Sequence, residues 1–196
     1  MGKSTVALAF RRAGIPVFDA DAAVHKMYQP GGAAVRAIGA AFPGVVVDDA
    51  IDRAKLRALV VGDPGKFKEL ERLVHPLVLR EELAAVARAR RAGKRAVVID
   101  NPLLFEMNLA PRDRHRHEQL LTDVLVVSAP AAIQLHRVRR RRTMSDEQIR
   151  AVIAKQMPDG EKRRRARAWP NRVVRTGLSR NLTLQPVRRM ILEVLA

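Results

Sequence analysis

The chain has 196 residues, no cysteine, and 37 lysines and arginines against 20 acidic residues, which gives a formal charge of +17. The absence of cysteine excludes a disulfide scaffold and a cysteine zinc site, and it fits a reducing, cytoplasmic location. No run of about 18 apolar residues occurs, so no membrane span is expected. The charge favours polyanionic partners, although most arginines fit a solvated surface equally well. Aromatic residues make up only 4%, which argues against a protein that stacks single-stranded bases.

The first stretch, Gly-Lys-Ser-Thr at residues 2–5, runs directly into an apolar pattern of helical period over residues 3–13. Backbone amides at a helix N-terminus bind anionic oxygens, Lys3 adds a point charge, and the Ser4 hydroxyl is a ligand for Mg²⁺. The alternative is that Ser4 or Thr5 only caps the helix. Because strands with acidic ends follow, we favour a phosphate-binding loop.

Residues 15–18 form a short apolar run that predicts a buried strand, and the strand ends at Asp19 and Asp21. A carboxylate at a strand end beside a phosphate loop is well placed as a general base for phosphoryl transfer, or to hold a metal-bound water. The alternative is that one of these aspartates caps the next helix, and both roles are compatible, one for each residue.

Residues 29–35 predict a turn that opens another helix. Residues 45–93 are predicted to be mostly helical, with a break at residues 62–65 and another at His75-Pro76. From the residues alone, we interpret His75-Pro76 as a structural turn at a helix start.

Residues 96–99 predict a strand buried on both faces, which ends at Asp100, and residues 122–130 predict a third strand of similar character. Strands that alternate with helices imply a parallel α/β sheet, and such sheets bind ligands at the carboxyl ends of their strands. The polar residues that follow each strand are therefore expected to collect at one edge of the sheet.

Residues 131–168 read as helical and very basic, with a break that begins at Pro158, and they precede a short strand at 171–177 and a last helix at 184–196. The basic residues of this region fit three alternatives. They supply cations that close over a phosphoryl group in transfer, they contact nucleic-acid phosphates, or they form a solvated face. The sequence RHRHE at residues 114–118 lacks a ligand set at metal-site spacing, so its histidines are interpreted as part of a solvated loop.

Several of these stretches together resemble the dephospho-CoA kinase family of P-loop small-molecule kinases. The matching stretches cover nearly the whole chain in the family's order: residues 2–25, 30–35, 73–78, 100–106, 124–138, 144–163 and 176–178. The specific part of the resemblance is Asp-Ala-Asp at 19–21 combined with His-Pro-Leu at 75–77 and Pro-Leu-Leu-Phe-Glu at 102–106.

The resemblance implies ATP-dependent phosphorylation of the 3′-hydroxyl of dephospho-CoA, the last step of coenzyme A synthesis, with Mg²⁺. It implies a P-loop kinase-type three-layer α/β/α fold with a parallel sheet. The expected regions are a nucleotide-binding core (residues 1–28, 94–136 and 168–196), a helical CoA-binding region (29–93) and a lid (137–167). We expect a monomer whose partner is its small-molecule substrate, with neither a membrane nor a specific nucleic acid as partner.

The resemblance also assigns roles to individual residues. Lys3 is expected to contact the β- and γ-phosphates, Ser4 to ligate Mg²⁺ through the phosphates, and Asp21 to act as the base, with Arg141 as a further catalytic cation. The nucleotide-binding set is Gly2, Lys3, Ser4, Thr5, Arg137 and Arg141, and the two arginines match a lid pattern that begins at Gln134. The acceptor-binding set is Asp19, Asp21, His75, Pro76, Asp100 and Leu103.

The sequence departs from the family pattern at several points. The first strand and the initial glycines of the phosphate loop are missing, so we expect either a start at an internal Met or a truncated chain with little activity. Asn101 replaces a usual apolar residue, Arg142 and Thr143 replace a Pro-Gly type turn, and residues 168–177 replace an Ala-Asp-x-Val-Ile stretch. The competing interpretations are another P-loop nucleoside or shikimate-type kinase and a basic nucleic-acid binder.

Overall fold

The computed structural model describes residues 2–106, 111–130, 132–134, 136, 157–177 and 179–196. The chain divides into two compact units, and we name them by their place in the sequence. The flanking unit comprises Met1–Val17 and Leu120–Ala196, and the central unit comprises Phe18–Gln119. The central unit is therefore one continuous segment, whereas the flanking unit is built from both ends of the chain.

The helices and strands of the two units alternate along much of the chain. In chain order they are α1 (Lys3–Arg12), β1 (Val17–Asp19), α2 (Ala20–Met27), α3 (Val35–Ala41), β2 (Val46–Val47), β3 (Ala50–Ile51), α4 (Arg53–Val60), α5 (Pro64–Arg91), β4 (Val98–Asp100), α6 (Pro111–Glu118), β5 (Val124–Ser128), α7 (Asp159–Arg165), a 3₁₀ helix (Ala166–Ala168), β6 (Asn171–Arg175) and α8 (Arg180–Leu195).

The flanking unit contains a parallel strand pair. Strands β5 and β6 run in register from Val124 opposite Asn171 to Ser128 opposite Arg175. Helix α1 packs against α8. This pair, together with the alternation of strands and helices, confirms the predicted α/β class. The described strands form three pairs, β1–β4, β2–β3 and β5–β6.

The central unit has an apolar core formed by α2, α3, α4, α5 and the β2–β3 hairpin. Ile38 and Val45 at its centre are completely buried. Helices α4 and α5 both begin at aspartate caps, because Asp52 accepts hydrogen bonds from two backbone amides of α4 and Asp63 does the same for α5. Such caps satisfy amide donors that the first helical turn otherwise leaves without partners.

Residues 46–51 form a β-hairpin, although the sequence predicted a helix there. Strands β2 and β3 are antiparallel, and the two residues between them, Asp48 and Asp49, have φ values of 48° and 57°. Two consecutive left-handed residues are the geometry of a tight hairpin turn. The prediction was wrong here because the usual signal, a glycine in the turn, is missing; aspartate reaches the left-handed region because its short side chain bonds locally.

Helix α5 continues through His75-Pro76, so the predicted turn at a helix start was wrong. Pro76 lies inside a helix of 28 residues. A proline in a helix interior removes one backbone hydrogen bond and disfavours the helix locally. Packing outweighs this cost, because Val74, Val78 and Leu79 around the proline are all buried.

Strand β4 also differs from its prediction. Its residues are only half-buried rather than buried on both faces. Among the described residues, its one hydrogen-bonded neighbour is β1, so no second described strand covers its other edge. In the described part of the chain, no helix has both the length and the apolar character needed to cross a membrane.

Candidate active site

The phosphate-loop stretch begins at a glycine that no other residue could replace without strain. Gly2 precedes α1 as its N-cap with a φ of +98°, and its carbonyl accepts hydrogen bonds from the amides of Thr5 (3.1 Å) and Val6 (3.3 Å). A Cβ atom built on Gly2 would lie 3.0 Å from Cγ2 of Thr176. Both the positive φ and the close approach therefore require glycine.

Thr176 links this glycine to the ends of the parallel strands. Thr176 follows the last residue of β6, and both its amide (2.8 Å) and its Oγ1 (3.1 Å) donate to the carbonyl of Ser128, the last residue of β5. The start of α1 thus lies at the carboxyl ends of β5 and β6. This is the edge where parallel α/β sheets bind ligands.

Lys3, Ser4 and Thr5 form the first turn of α1. The Ser4 side chain is exposed, and Lys3 and Thr5 are half-buried. Because the cap position belongs to Gly2, the alternative in which Ser4 or Thr5 merely caps the helix is wrong. The first turn of α1 therefore carries a lysine and a hydroxyl at a helix N-terminus, the kind of position where proteins bind anions.

The two aspartates that follow β1 have different surroundings. Asp19 is the N-cap of α2 and accepts a hydrogen bond from the amide of Ala22 at 3.0 Å. Asp21 lies in the first turn of the same helix, and its side chain is exposed. The capping alternative therefore holds for Asp19, and it leaves the carboxylate of Asp21 available for chemistry.

The acceptor-side residues Asp100 and Leu103 lie on a tight turn that follows β4. Asp100 ends β4, which pairs with β1, the strand that ends at Asp19. The side-chain oxygen of Asn101 accepts a hydrogen bond from the Leu103 amide at 2.9 Å, which closes the turn. The Leu103 side chain is exposed, so the turn presents an apolar side chain beside a carboxylate.

The histidine of the His-Pro-Leu stretch is a buried side chain on α5. His75 is 7% exposed, whereas Pro76 beside it faces solvent. The structure therefore places these two predicted acceptor residues on different sides of the same helix.

The structure reveals a buried pair that sequence reasoning missed. His117 lies on α6 rather than on a solvated loop, and it is buried with its Nε2 3.1 Å from Oε2 of Glu82 on α5. His115 on the same helix is exposed and contacts Gln119. Almost no signal in the sequence marks this arrangement, because a helix composed mainly of polar residues has no apolar stripe to indicate its buried face.

The basic residues predicted for the lid are only partly within the described residues. Arg137 and Arg141 lie outside them. Gln134, which begins the lid pattern, donates a hydrogen bond to the carbonyl of Ala129 at 2.7 Å. On the far side, Asp159 accepts a hydrogen bond from the Ser128 hydroxyl at 2.8 Å and lies 3.4 Å from the guanidinium of Arg163. Helix α7 is thereby tied to the end of β5.

The predicted site residues divide between the two units. The phosphate-loop residues belong to the flanking unit, and the whole acceptor-binding set belongs to the central unit. Across the described residues, no group of three or more His, Asp or Glu side chains is arranged to hold a metal ion. A magnesium ion bound by one hydroxyl and by phosphate oxygens needs no such cage, so the residues present fit it.

Comparison with known proteins identifies the family of this chain. A family model described as dephospho-CoA kinase matches residues 1–173. A protein named dephospho-CoA kinase from Paramagnetospirillum magneticum is 52% identical over 164 residues, which cover 83% of this chain and 73% of that protein.

Two solved structures have a similar fold. The crystal structure of TT1252 from Thermus thermophilus matches with a TM-score of 0.77 and 33% identity over 98% of this chain and 91% of that one. Dephospho-CoA kinase from Campylobacter jejuni shows the same fold with a TM-score of 0.63 at 21% identity, over 98% of this chain and 91% of that one.

The fold, the phosphate-loop stretch and these matches define a small-molecule kinase, a transferase of phosphoryl groups. More particularly, the chain belongs to the dephospho-CoA kinase family.

Proposed function

We propose that this chain transfers the γ-phosphoryl group of ATP to the 3′-hydroxyl of dephospho-CoA, which gives coenzyme A and ADP. This reaction is the last step of coenzyme A biosynthesis. The observation that carries the proposal is the position of residues 2–5 at the carboxyl ends of β5 and β6, in a chain that matches the family over residues 1–173.

The flanking unit supplies the nucleotide side of the reaction. The first-turn amides of α1 hold phosphate oxygens, and Lys3 places a positive charge on the β- and γ-phosphates. The Ser4 hydroxyl and the phosphate oxygens hold Mg²⁺, which when bound neutralises charge that develops on the phosphates. Arg137 and Arg141 are proposed to close over the same phosphates, with Arg141 contacting the group in transfer.

The central unit supplies the acceptor side. Asp21 accepts the proton of the 3′-hydroxyl while the hydroxyl oxygen forms its bond to the γ-phosphorus. The bond from that phosphorus to the β–γ bridging oxygen breaks, and ADP leaves with the electron pair. Asp21 suits this role because it is exposed and Asp19 already caps α2. Asp19, His75, Pro76, Asp100 and Leu103 are proposed to bind the acceptor.

The proposed regions of the chain also separate acceptor binding from nucleotide binding. Residues 29–93 form the CoA-binding region, residues 137–167 form the lid, and the remainder forms the nucleotide-binding core. We further propose that the protein is a monomer and that it is located in the cytoplasm. A light-scattering measurement of mass tests the monomeric state. The charge of +17 opposes association with a second copy of the chain.

The experiment that tests the activity measures ADP release with dephospho-CoA, adenosine or shikimate as acceptor. We expect turnover that depends on dephospho-CoA and on ATP with Mg²⁺. Turnover with adenosine or shikimate instead indicates a different small-molecule kinase. If no acceptor stimulates ADP release, the activity proposal fails for this chain, and nucleic-acid binding with a steep salt dependence would then support the nucleic-acid alternative.

A further inference from the structure

Glu82 is a carboxylate removed completely from solvent in the central unit. Its exposed fraction is 0%, and that of His117 beside it is 4%. Burial of a carboxylate is costly unless partners compensate it. Glu82 has one hydrogen-bonded partner among the described residues, because Oε1 accepts a hydrogen bond from the side-chain amide of Asn101 at 3.3 Å. Its Oε2 lies 3.1 Å from Nε2 of His117, which is within ion-pair distance but outside hydrogen-bond geometry.

Asn101 connects this buried pair to the turn that follows β4. Its side-chain nitrogen donates to Glu82, and its side-chain oxygen accepts from the Leu103 amide at 2.9 Å. A continuous series of polar contacts therefore runs from His117 through Glu82 and Asn101 to the backbone of Leu103. Asp100 and Leu103, two residues of the proposed acceptor site, lie on either side of Asn101.

Helix α5 also carries His75, a third residue of the proposed acceptor site. Glu82 follows His75 by seven positions, which places both on the same face of the helix, about 10 Å apart along its axis. Both side chains are buried. Helix α5 thus carries both His75 and the carboxylate that contacts the turn.

Asn101 is the residue that gives Glu82 its influence on the turn. An apolar side chain at this position offers no donor to Glu82 and no acceptor to the Leu103 amide.

We propose that Glu82, with His117 behind it, is a positioning residue for the acceptor. Glu82 fixes the side-chain amide of Asn101. It thereby holds the turn from Asp100 to Leu103 in the conformation that binds dephospho-CoA. This inference rests on the proposed function. Glu82 does not touch the reacting atoms, so its loss weakens acceptor binding and leaves nucleotide binding unchanged.

The test compares Glu82→Leu and Asn101→Leu with a matched control, Glu81→Leu, at the neighbouring exposed position on the same helix. Calorimetry gives the Kd of dephospho-CoA, and steady-state kinetics gives the KM of both substrates. We expect Kd and KM for dephospho-CoA to rise about 5- to 10-fold in both test variants, the effect of a lost hydrogen bond. The KM for ATP stays unchanged, and the control matches the wild type.

Two further variants separate positioning from packing. Glu82→Gln keeps an oxygen that accepts from Asn101, so we expect it to restore most of the acceptor affinity. The double variant Glu82→Leu with Asn101→Leu is expected to bind no worse than Asn101→Leu alone, because Glu82 acts on the turn only through Asn101. If Glu82→Leu does not fold, Asn101→Asp serves instead, because it keeps the acceptor for the Leu103 amide and removes the donor to Glu82.

If both leucine variants have a lower Tm but an unchanged Kd for dephospho-CoA, the positioning role is wrong and the proposed function stands. Equal rises in KM for dephospho-CoA and ATP overturn the positioning role as well. A wild-type chain that does not bind dephospho-CoA overturns both this inference and the proposed function.

Discussion

Gly2 and Thr176 lie so close together that a Cβ atom at residue 2 would come within 3.0 Å of Thr176 Cγ2 and 3.2 Å of Thr176 Cβ. The first residue of the phosphate-loop stretch is thereby held against the segment that follows β6. A side chain at position 2 therefore requires Thr176 or the start of α1 to shift by a few tenths of an ångström.

We therefore predict that Gly2→Ala lowers kcat/KM for ATP by at least about 10-fold, equivalent to about 1.4 kcal/mol. The Cβ atom meets Thr176, and the φ of +98° is unfavourable for alanine. Gly14→Ala is the matched control, because Gly14 also has a positive φ, +77°, but open space around it. Equal losses of kcat/KM in the two variants would show that the contact with Thr176 is unimportant.

Asp21→Asn is predicted to lower kcat by at least about 100-fold with little change in KM for ATP, as expected for a lost general base. Asp52→Asn is the control, since it makes the same chemical change at a helix cap that asparagine also serves well. Single-turnover measurement of ADP formation checks the chemical step. A near-normal rate in Asp21→Asn removes this residue from the role of base.

The hairpin turn allows one hydrogen bond to be measured separately from backbone strain. Asp48 and Asp49 both have positive φ, and Asp49 also accepts a hydrogen bond from the Gly31 amide, at 2.9 Å. Glycine relieves the backbone strain at either position. We predict that Asp48→Gly is more stable than Asp49→Gly by about 1 kcal/mol, measured by urea unfolding. Equal stabilities would mean that the bond to Gly31 contributes nothing.

Glu71 on α5 is predicted to make stability depend on pH. Burial raises the pKa of the Glu71 carboxyl group, and nearby Lys68 lowers it in part. A raised carboxyl pKa means that ionisation favours the unfolded chain, so stability falls as the pH rises through the unfolded and then the folded pKa.

The Glu71→Gln variant is therefore expected to be slightly more stable than the wild type at pH 7, within the roughly 0.5 kcal/mol typical of substitutions outside the core. The difference shrinks as the pH falls towards about 4, near the ordinary carboxyl pKa. Thermal unfolding at several pH values checks this, with Glu81→Gln as the exposed control on the same helix. A stability difference that does not vary with pH contradicts the assignment to ionisation.

Elements whose signals are local could be predicted from the sequence. The helix that begins at Lys3, the strand that ends at Asp19 and the parallel strands β5 and β6 all follow from apolar period and length. The same signals failed at Pro76, where tertiary packing keeps the helix intact, and at Asp48-Asp49, where two aspartates take a conformation more typical of glycine.

The candidate site was predictable to the extent that its residues belong to short motifs. The stretch at residues 2–5 and the aspartates at 19 and 21 were found from the sequence, although their catalytic roles remain predictions. The contact of Gly2 with Thr176 and the pairing of Glu82 with His117 join residues far apart in the chain. No local pattern encodes such contacts, because they depend on how separate elements pack.

The division of the chain into a central segment and a unit built from both ends has a consequence for synthesis on the ribosome. Helix α1 is made long before its packing partner α8, which comes from residues 180–195. At translation rates of about 5–20 residues per second, the segment from Leu120 to Ala196 takes about 4–15 s to emerge after the central unit is complete. During that interval the phosphate-loop helix has no α8 to bury its apolar face, so the flanking unit completes its packing only after the chain has been made to its last helix.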